Sequence, residues 1–213
     1  MMRASMLAAL VLLGGCISLL PEPPPPPRIF VLEAGDVSPL TDALEVDAVI
    51  SVATPSGERS ILGTDLIWRT GDELAYVSQT QWSTRAEYAL QSMLVETLTR
   101  QDRFRAATRT GDGRSDYEIR WEVLDFEVSE DSMTARIVAD VRLVSSPGRR
   151  IVAQERITAE APVRSRSSSD AARALADAAR EACGLIGVFA ARTAAEAEML
   201  READQPRAAS SNR

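Results

Sequence analysis

Three long runs of alternating side chains, in succession between residues 117 and 161, limit what this chain can become. "YEIRWEVLDFEV" (117–128) puts Tyr117, Ile119, Trp121 and Val123 on one side. Successive side chains of a strand point to opposite faces, so such a run buries one face and wets the other. The parity then changes to Leu124, Phe126 and Val128, which implies a bulge or a strand that changes face. "MTARIVADVRLV" (133–144) places Ala135, Ile137, Ala139, Val141 and Leu143 inward. Ser146-Pro147-Gly148-Arg149 suits a type II turn, because proline presets its φ and glycine accepts a positive one. Residues 150–161 then return as the partner strand. The three form an antiparallel meander with one apolar face, and that face must be covered.

Two helical patterns supply the cover. Thr84-Arg85-Ala86-Glu87 has the spacing of a capping box. Behind it, Ala86, Leu90, Met93, Leu94, Thr97 and Leu98 trace one helical face to about residue 101. A second helix begins near Ser169-Asp170 and runs to about residue 197. In it Leu175, Ala179, Ala182, Ile186 and Phe189 recur at spacings of 4, 3, 4 and 3. The alanines of that stripe permit close approach to a sheet, and Cys183 beside it reads as a small buried hydrophobe. Residues 28–34 and 45–52 read as strands, and 65–79 as a hairpin around Thr70-Gly71-Asp72. The expected fold is α/β: one two-layer domain over residues 28–198, its largely antiparallel sheet covered by two amphipathic helices. A small, polar tail, 199–213, is expected to be disordered.

Charge and composition exclude several functions. Lysines and arginines number 24 against 31 acids, and there is no histidine. An acidic chain without a basic cluster is poorly suited to a phosphate backbone, so nucleic acid is not expected as a partner. The absence of histidine removes the usual general base, metal ligand and triad member. No catalytic residue, metal or cofactor is therefore assigned, and a non-enzymatic role is expected. Asp125, Glu127, Glu130 and Asp131 cluster near a turn without EF-hand spacing and read as a polar hairpin tip. Gly111-Asp112-Gly113 reads as a loop.

The N-terminus carries a different message. "MLAALVLL" (6–13) follows a single early charge, Arg3, and is too short to span a bilayer. It matches the apolar core of a secretory signal. Leu13-Gly14-Gly15-Cys16 resembles the lipobox of bacterial lipoproteins. That resemblance implies cleavage between Gly15 and Cys16, diacylglycerol on the Cys16 sulfur and an acyl chain on its new amino group. An ordinary cleaved signal, or an apolar strand with an incidental cysteine, is the other reading. Two or more buried acyl chains make stable attachment. "PEPPPPP" (21–27) then forms an extended polyproline spacer on the order of 20 Å long. Ile17 and Ser18 supply no aspartate after the cysteine, which by the same resemblance implies an outer-membrane address facing the periplasm.

The layout as a whole resembles the ABC-type transport auxiliary lipoproteins, the family that includes the lipoprotein partner of paraquat-inducible MCE systems. The shared features are the lipobox, the first-strand motif Phe30-Val31-Leu32, and Leu74-Ala75-Tyr76 with Trp82 ahead of a helix through Leu94 and Leu98. The Ala-rich helix from residue 169 completes the match. Trp82 is followed by Ser83-Thr84-Arg85, where many members have Ala-Glu-Pro. The resemblance implies a docking or stabilising subunit for lipid transport across the Gram-negative envelope. Its partners would be an MCE-domain protein, an ABC transporter and the membrane itself, with a homo-oligomer left open. A lipoprotein of another envelope assembly or secretion machine is the alternative. Tyr76 and Trp82 are read first as core packing at the start of the helix and second as partner contacts. Arg150 and Arg156, in a basic stretch with Arg149, Arg164 and Arg166, are the other candidate contacts.

Overall fold

The structure, a computed structural model, describes residues 25–41, 45–146 and 148–210, with side chains to residue 203. Gly15, Cys16, the signal segment, the first part of the proline run and Pro147 lie outside the described residues. The elements in chain order are β1 (Arg28–Phe30), β2 (Val46–Val52), β3 (Ser56–Gly57), β4 (Asp65–Thr70) and β5 (Glu73–Trp82). There follow α1 (Ala86–Gln101), β6 (Phe104–Arg109), β7 (Tyr117–Ser129), β8 (Thr134–Ser145), β9 (Arg150–Pro162) and α2 (Ser168–Ser210). All strands join one mixed, mostly antiparallel sheet, which does not close into a barrel.

β7, β8 and β9 pair antiparallel as their alternation requires, with Tyr117 opposite Ser145 and Ser145 opposite Arg150. Tyr117, Ile119, Trp121, Val123, Ala135, Ile137, Ala139, Val141 and Leu143 are all buried. The parity change in β7 is a bulge, with the register shifting between Val123 and Asp125. Leu124, expected inward with Phe126 and Val128, is the extra residue and stays 37% exposed. One inserted residue resets the alternation, which returns Phe126 and Val128 to the core. In the turn between β8 and β9, Gly148 has φ 91°, the sign expected there, and Arg149 follows with φ 53°.

The other edge of β7 receives three short strands one after another, all parallel to it. β2 pairs at Tyr117–Ile119, β3 at Glu122–Val123 and β4 at Val128–Ser129. The sheet therefore forks. One branch is β2 with β6, and the other is β4, β5 and β1. The β4–β5 hairpin turns at Gly71, whose φ of 56° uses the freedom of glycine. β1 ends at Phe30, short of the expected residue 34, although Leu32 and Ala34 remain buried.

α2 lies along β9, β8 and β7, and α1 packs on β6, β2 and α2. Leu175, Ala179, Ala182, Ile186 and Phe189 are buried, as their spacing predicts. Burying a large apolar side chain of this kind contributes about 1.5–3 kcal/mol. α2 continues to Ser210, past the expected end near residue 197. Cys183 is buried in this layer, and desolvation pushes its thiol up to about 12, which leaves it inert. The capping box does not form: Arg85 is the N-cap residue and no side chain caps α1. A backbone oxygen takes over the task. Ala86 N donates to Gly63 O at 2.8 Å, while Ser83 N donates to Phe30 O at 2.7 Å. No described helix is long and apolar enough to cross a membrane.

Candidate interaction site

The spacer meets the domain at the β1–β5 edge. Pro25, Pro26 and Pro27 share a depression of about 430 Å³ with residues from Tyr76 to Gln81 of β5. β5 is irregular here: Asp65 faces Gln81 and Ile67 faces Tyr76, so extra residues bulge out, with Gln79 at φ 54°. β1 pairs with β5 only from Thr80 to Trp82. The two aromatic residues singled out in the sequence are thereby separated. Trp82 is 3% exposed and stacks on Phe126, with ring centroids 6.1 Å apart at 21°. Tyr76 is 61% exposed and lies in no core, against the expectation that it packs there. Leu74, Ile29 and Val31 are exposed in the same part of the fold.

A second surface lies along the C-terminal half of α2. Arg28 of β1 donates to Ser169 Oγ at the start of that helix, 3.1 Å away. Counting 1.5 Å per residue, Arg192 lies roughly 35 Å further along. There β9 and α2 enclose a groove of about 610 Å³ lined by Arg150, Ile151, Phe189, Arg192, Leu200 and Arg201 among others. Ile151 is 56% and Leu200 69% exposed. β9 pairs only with β8, so its outer edge borders this groove.

Polar contacts fix the walls. Arg192 pairs with Glu155 across the groove at 2.9 Å. Tyr117 OH donates to Glu198 Oε1 at 2.6 Å, and Arg201 pairs with the same carboxylate at 2.8 Å. The Arg201 guanidinium also sits 5.4 Å from the Tyr117 ring centroid. Burial first, and then the Glu198 carboxylate, push the Tyr117 phenol up, so it remains a donor at neutral pH. Arg150 reaches the groove with no ion-pair partner among the described residues. Arg156 has a different role. It binds Asp140 with two hydrogen bonds, at 2.7 and 2.8 Å, and these hold the Asp140 carboxyl below its usual range.

The structure thus places Tyr76 and Trp82 on one branch of the sheet and Arg150 and Arg156 on β9, at the far edge. The groove's apolar members, Ile151 and Leu200, were not anticipated as a site. Their signal was an isoleucine at the start of a strand and a leucine off the helix stripe. The acidic cluster is held by arginines: Arg69 pairs with Glu127, Arg136 lies 3.9 Å from Asp125 and Arg166 lies 3.0 Å from Glu130. No group of three or more metal-ligating side chains is found among the described residues.

The model of the family described as ABC-type transport auxiliary lipoprotein component matches residues 30–186. The chain belongs to this family. As an auxiliary lipoprotein of ABC-type transport, it is a membrane-anchored envelope component associated with a transport system. The family is defined by transport rather than by an enzyme activity. Solved structures share the fold of this auxiliary lipoprotein. A Xanthomonas campestris protein assigned to the DUF330 family superposes with TM-score 0.76 at 24% identity, covering 81% of this chain and 99% of its own. A second structure, described as an uncharacterized protein, has TM-score 0.62 at 13% identity and covers 78% of this chain and 99% of its own. A search of curated proteins finds no match.

Proposed function

We propose that this auxiliary lipoprotein is held at the periplasmic side of the outer membrane by acyl chains on Cys16. In this reading it is a non-enzymatic docking and stabilising subunit of an MCE-type ABC system that moves lipids across the envelope. The observation that carries the reading is the polarity of the domain. The spacer arrives beside the start of α2, and the open groove between β9 and the C-terminal half of α2 lies roughly 35 Å away. A stiff spacer that lifts the domain from a bilayer would turn that groove away from the bilayer, toward a partner spanning the periplasm. Exposed Ile151 and Leu200 supply an apolar anchor, and Arg150 and Arg192 supply a charged rim.

The test is affinity recovery from envelope extracts with a tagged full-length chain. The wild type should bring down the MCE-domain protein of its transport system. Cys16→Ala should move the chain out of the membrane fraction, and Ile151→Glu should keep the anchor but lose the partner. Recovery of a secretion or assembly complex in place of transport proteins would replace this reading with the other one.

A further inference from the structure

We infer that the cleft between the 110–116 loop and the β8–β9 turn is a binding site for a phosphate ester. The inference stands on the cleft's own chemistry and not on the docking role proposed above. Most arginines among the described residues are engaged in a hydrogen bond or an ion pair. Among the described residues, only Arg59, Arg114, Arg149, Arg150 and Arg164 have guanidiniums without a hydrogen bond or ion pair. Arg114 and Arg149 come from two different turns yet line one cleft of about 430 Å³.

The rest of the lining favours an anion. Ser51, Ser115 and Ser146 form a hydroxyl chain, with Oγ–Oγ distances of 2.9 and 3.2 Å. Ser51 Oγ donates to Tyr117 O at 3.4 Å, and the Ser115 and Ser146 hydroxyls line the cleft beside the two arginines. Glu118 is the one carboxylate in the lining, and it is already neutralised. Arg120 binds it at 2.7 Å, and Thr110 Oγ1 donates to it at 3.0 Å. Asp116 on the same loop accepts from Val49 N at 2.8 Å and lies 3.7 Å from Arg105. The cleft therefore keeps two uncompensated guanidiniums. A tetrahedral phosphate can accept from donors arriving on two sides, and guanidiniums match it geometrically. The cleft is several times larger than a bare phosphate needs, so it has room for the alcohol of an ester. A glycerophospholipid headgroup and free phosphate share this chemistry.

The experiment titrates the full-length chain in a non-ionic maltoside with sn-glycero-3-phosphoglycerol or with inorganic phosphate, at matched ionic strength. Calorimetry reads affinity, and the amide shifts of Gly111, Gly113 and Gly148 read position. The ester should bind and move those amides. Arg114→Ala with Arg149→Ala should weaken it at least tenfold, while Arg59→Ala with Arg164→Ala should bind like the wild type. All four arginines are exposed, so thermal melts should not change. Phosphate binding as tightly as the ester would keep the site and assign it to the free ion. Absence of binding by either probe would overturn the inference. So would affinity within twofold of wild type in the first double variant, or equal loss in the second.

Discussion

Replacing Trp82 and Tyr76 separately by alanine tests whether burial or exposure decides the role of an aromatic side chain on β5. Trp82 is 3% exposed, so Trp82→Ala loses the transfer free energy of the ring and leaves a cavity, a cost of about 3–5 kcal/mol. Part of that cost is the stack on Phe126 at 6.1 Å, a contact of about 0.5–1.5 kcal/mol that a double-mutant cycle with Phe126→Ala isolates. A domain of this size has a total stability of about 5–15 kcal/mol, so the loss is a large share of it. At about 2–4 °C per kcal/mol, the melting temperature should fall by roughly 6–20 °C. Tyr76 is 61% exposed, and Tyr76→Ala should change stability by no more than about 0.5 kcal/mol. Urea denaturation followed by far-UV circular dichroism measures both. The reasoning fails if Trp82→Ala costs less than about 1 kcal/mol, or if Tyr76→Ala costs more than about 2 kcal/mol.

Other perturbations follow from single contacts. Tyr117→Phe removes the donor to Glu198 and should cost about 1 kcal/mol, because the carboxylate is partly solvated. The Tyr117 phenol is raised from 10.0, so the stability it contributes is complete below pH 10 and declines as pH rises above it. Alkaline denaturation curves should show that decline in the wild type and lack it in Tyr117→Phe. The Asp140 carboxyl is lowered from 3.8, so its pairing with Arg156 stabilises the fold above pH 3.8 and is lost as pH falls below it. Asp140→Asn should therefore be less stable than wild type at pH 6 and converge with it in acid, as read by urea midpoints. Gly184 and Gly187 should respond to alanine with opposite signs. A Cβ at Gly184 meets nothing, so alanine should stabilise α2 by about 0.5–1 kcal/mol. A Cβ at Gly187 lands on the buried Gln101 carboxamide and disturbs its bond to Gly184 O, which should cost about 1–2 kcal/mol by the same assay.

The parts of the fold that sequence reading reached are those whose partners are neighbours in the chain. β7, β8 and β9 alternate cleanly because each is half-buried, and the shift from Val123 to Phe126 announced the bulge. α2 showed itself through a stripe that only a helix places on one side. The parallel pairings of β2, β3 and β4 on β7 were not visible, since no short-range pattern encodes a register between segments so far apart. β6 escaped for a related reason: "FRAATR" carries two alanines and two arginines, and it becomes a strand by pairing with β2. The capping box failed because the helix starts one residue later than the motif assumes: Arg85, not Thr84, is the N-cap, and Glu87 pairs with the Arg85 guanidinium. At the surface, sequence placed Arg150 and Arg156 together as cations, but pairing is a property of the fold. Cross-strand register sets Asp140 opposite Arg156 and leaves Arg150 without an ion-pair partner among the described residues.

The groove between β9 and α2 carries the proposed docking role, and photocrosslinking probes it inside intact cells. With p-benzoylphenylalanine replacing Ile151 in the full-length chain, irradiation should yield a covalent adduct with the MCE-domain protein of the transport system. The same probe replacing Tyr76, beside the spacer, should not. An adduct at position 76 with none at position 151 would contradict the account.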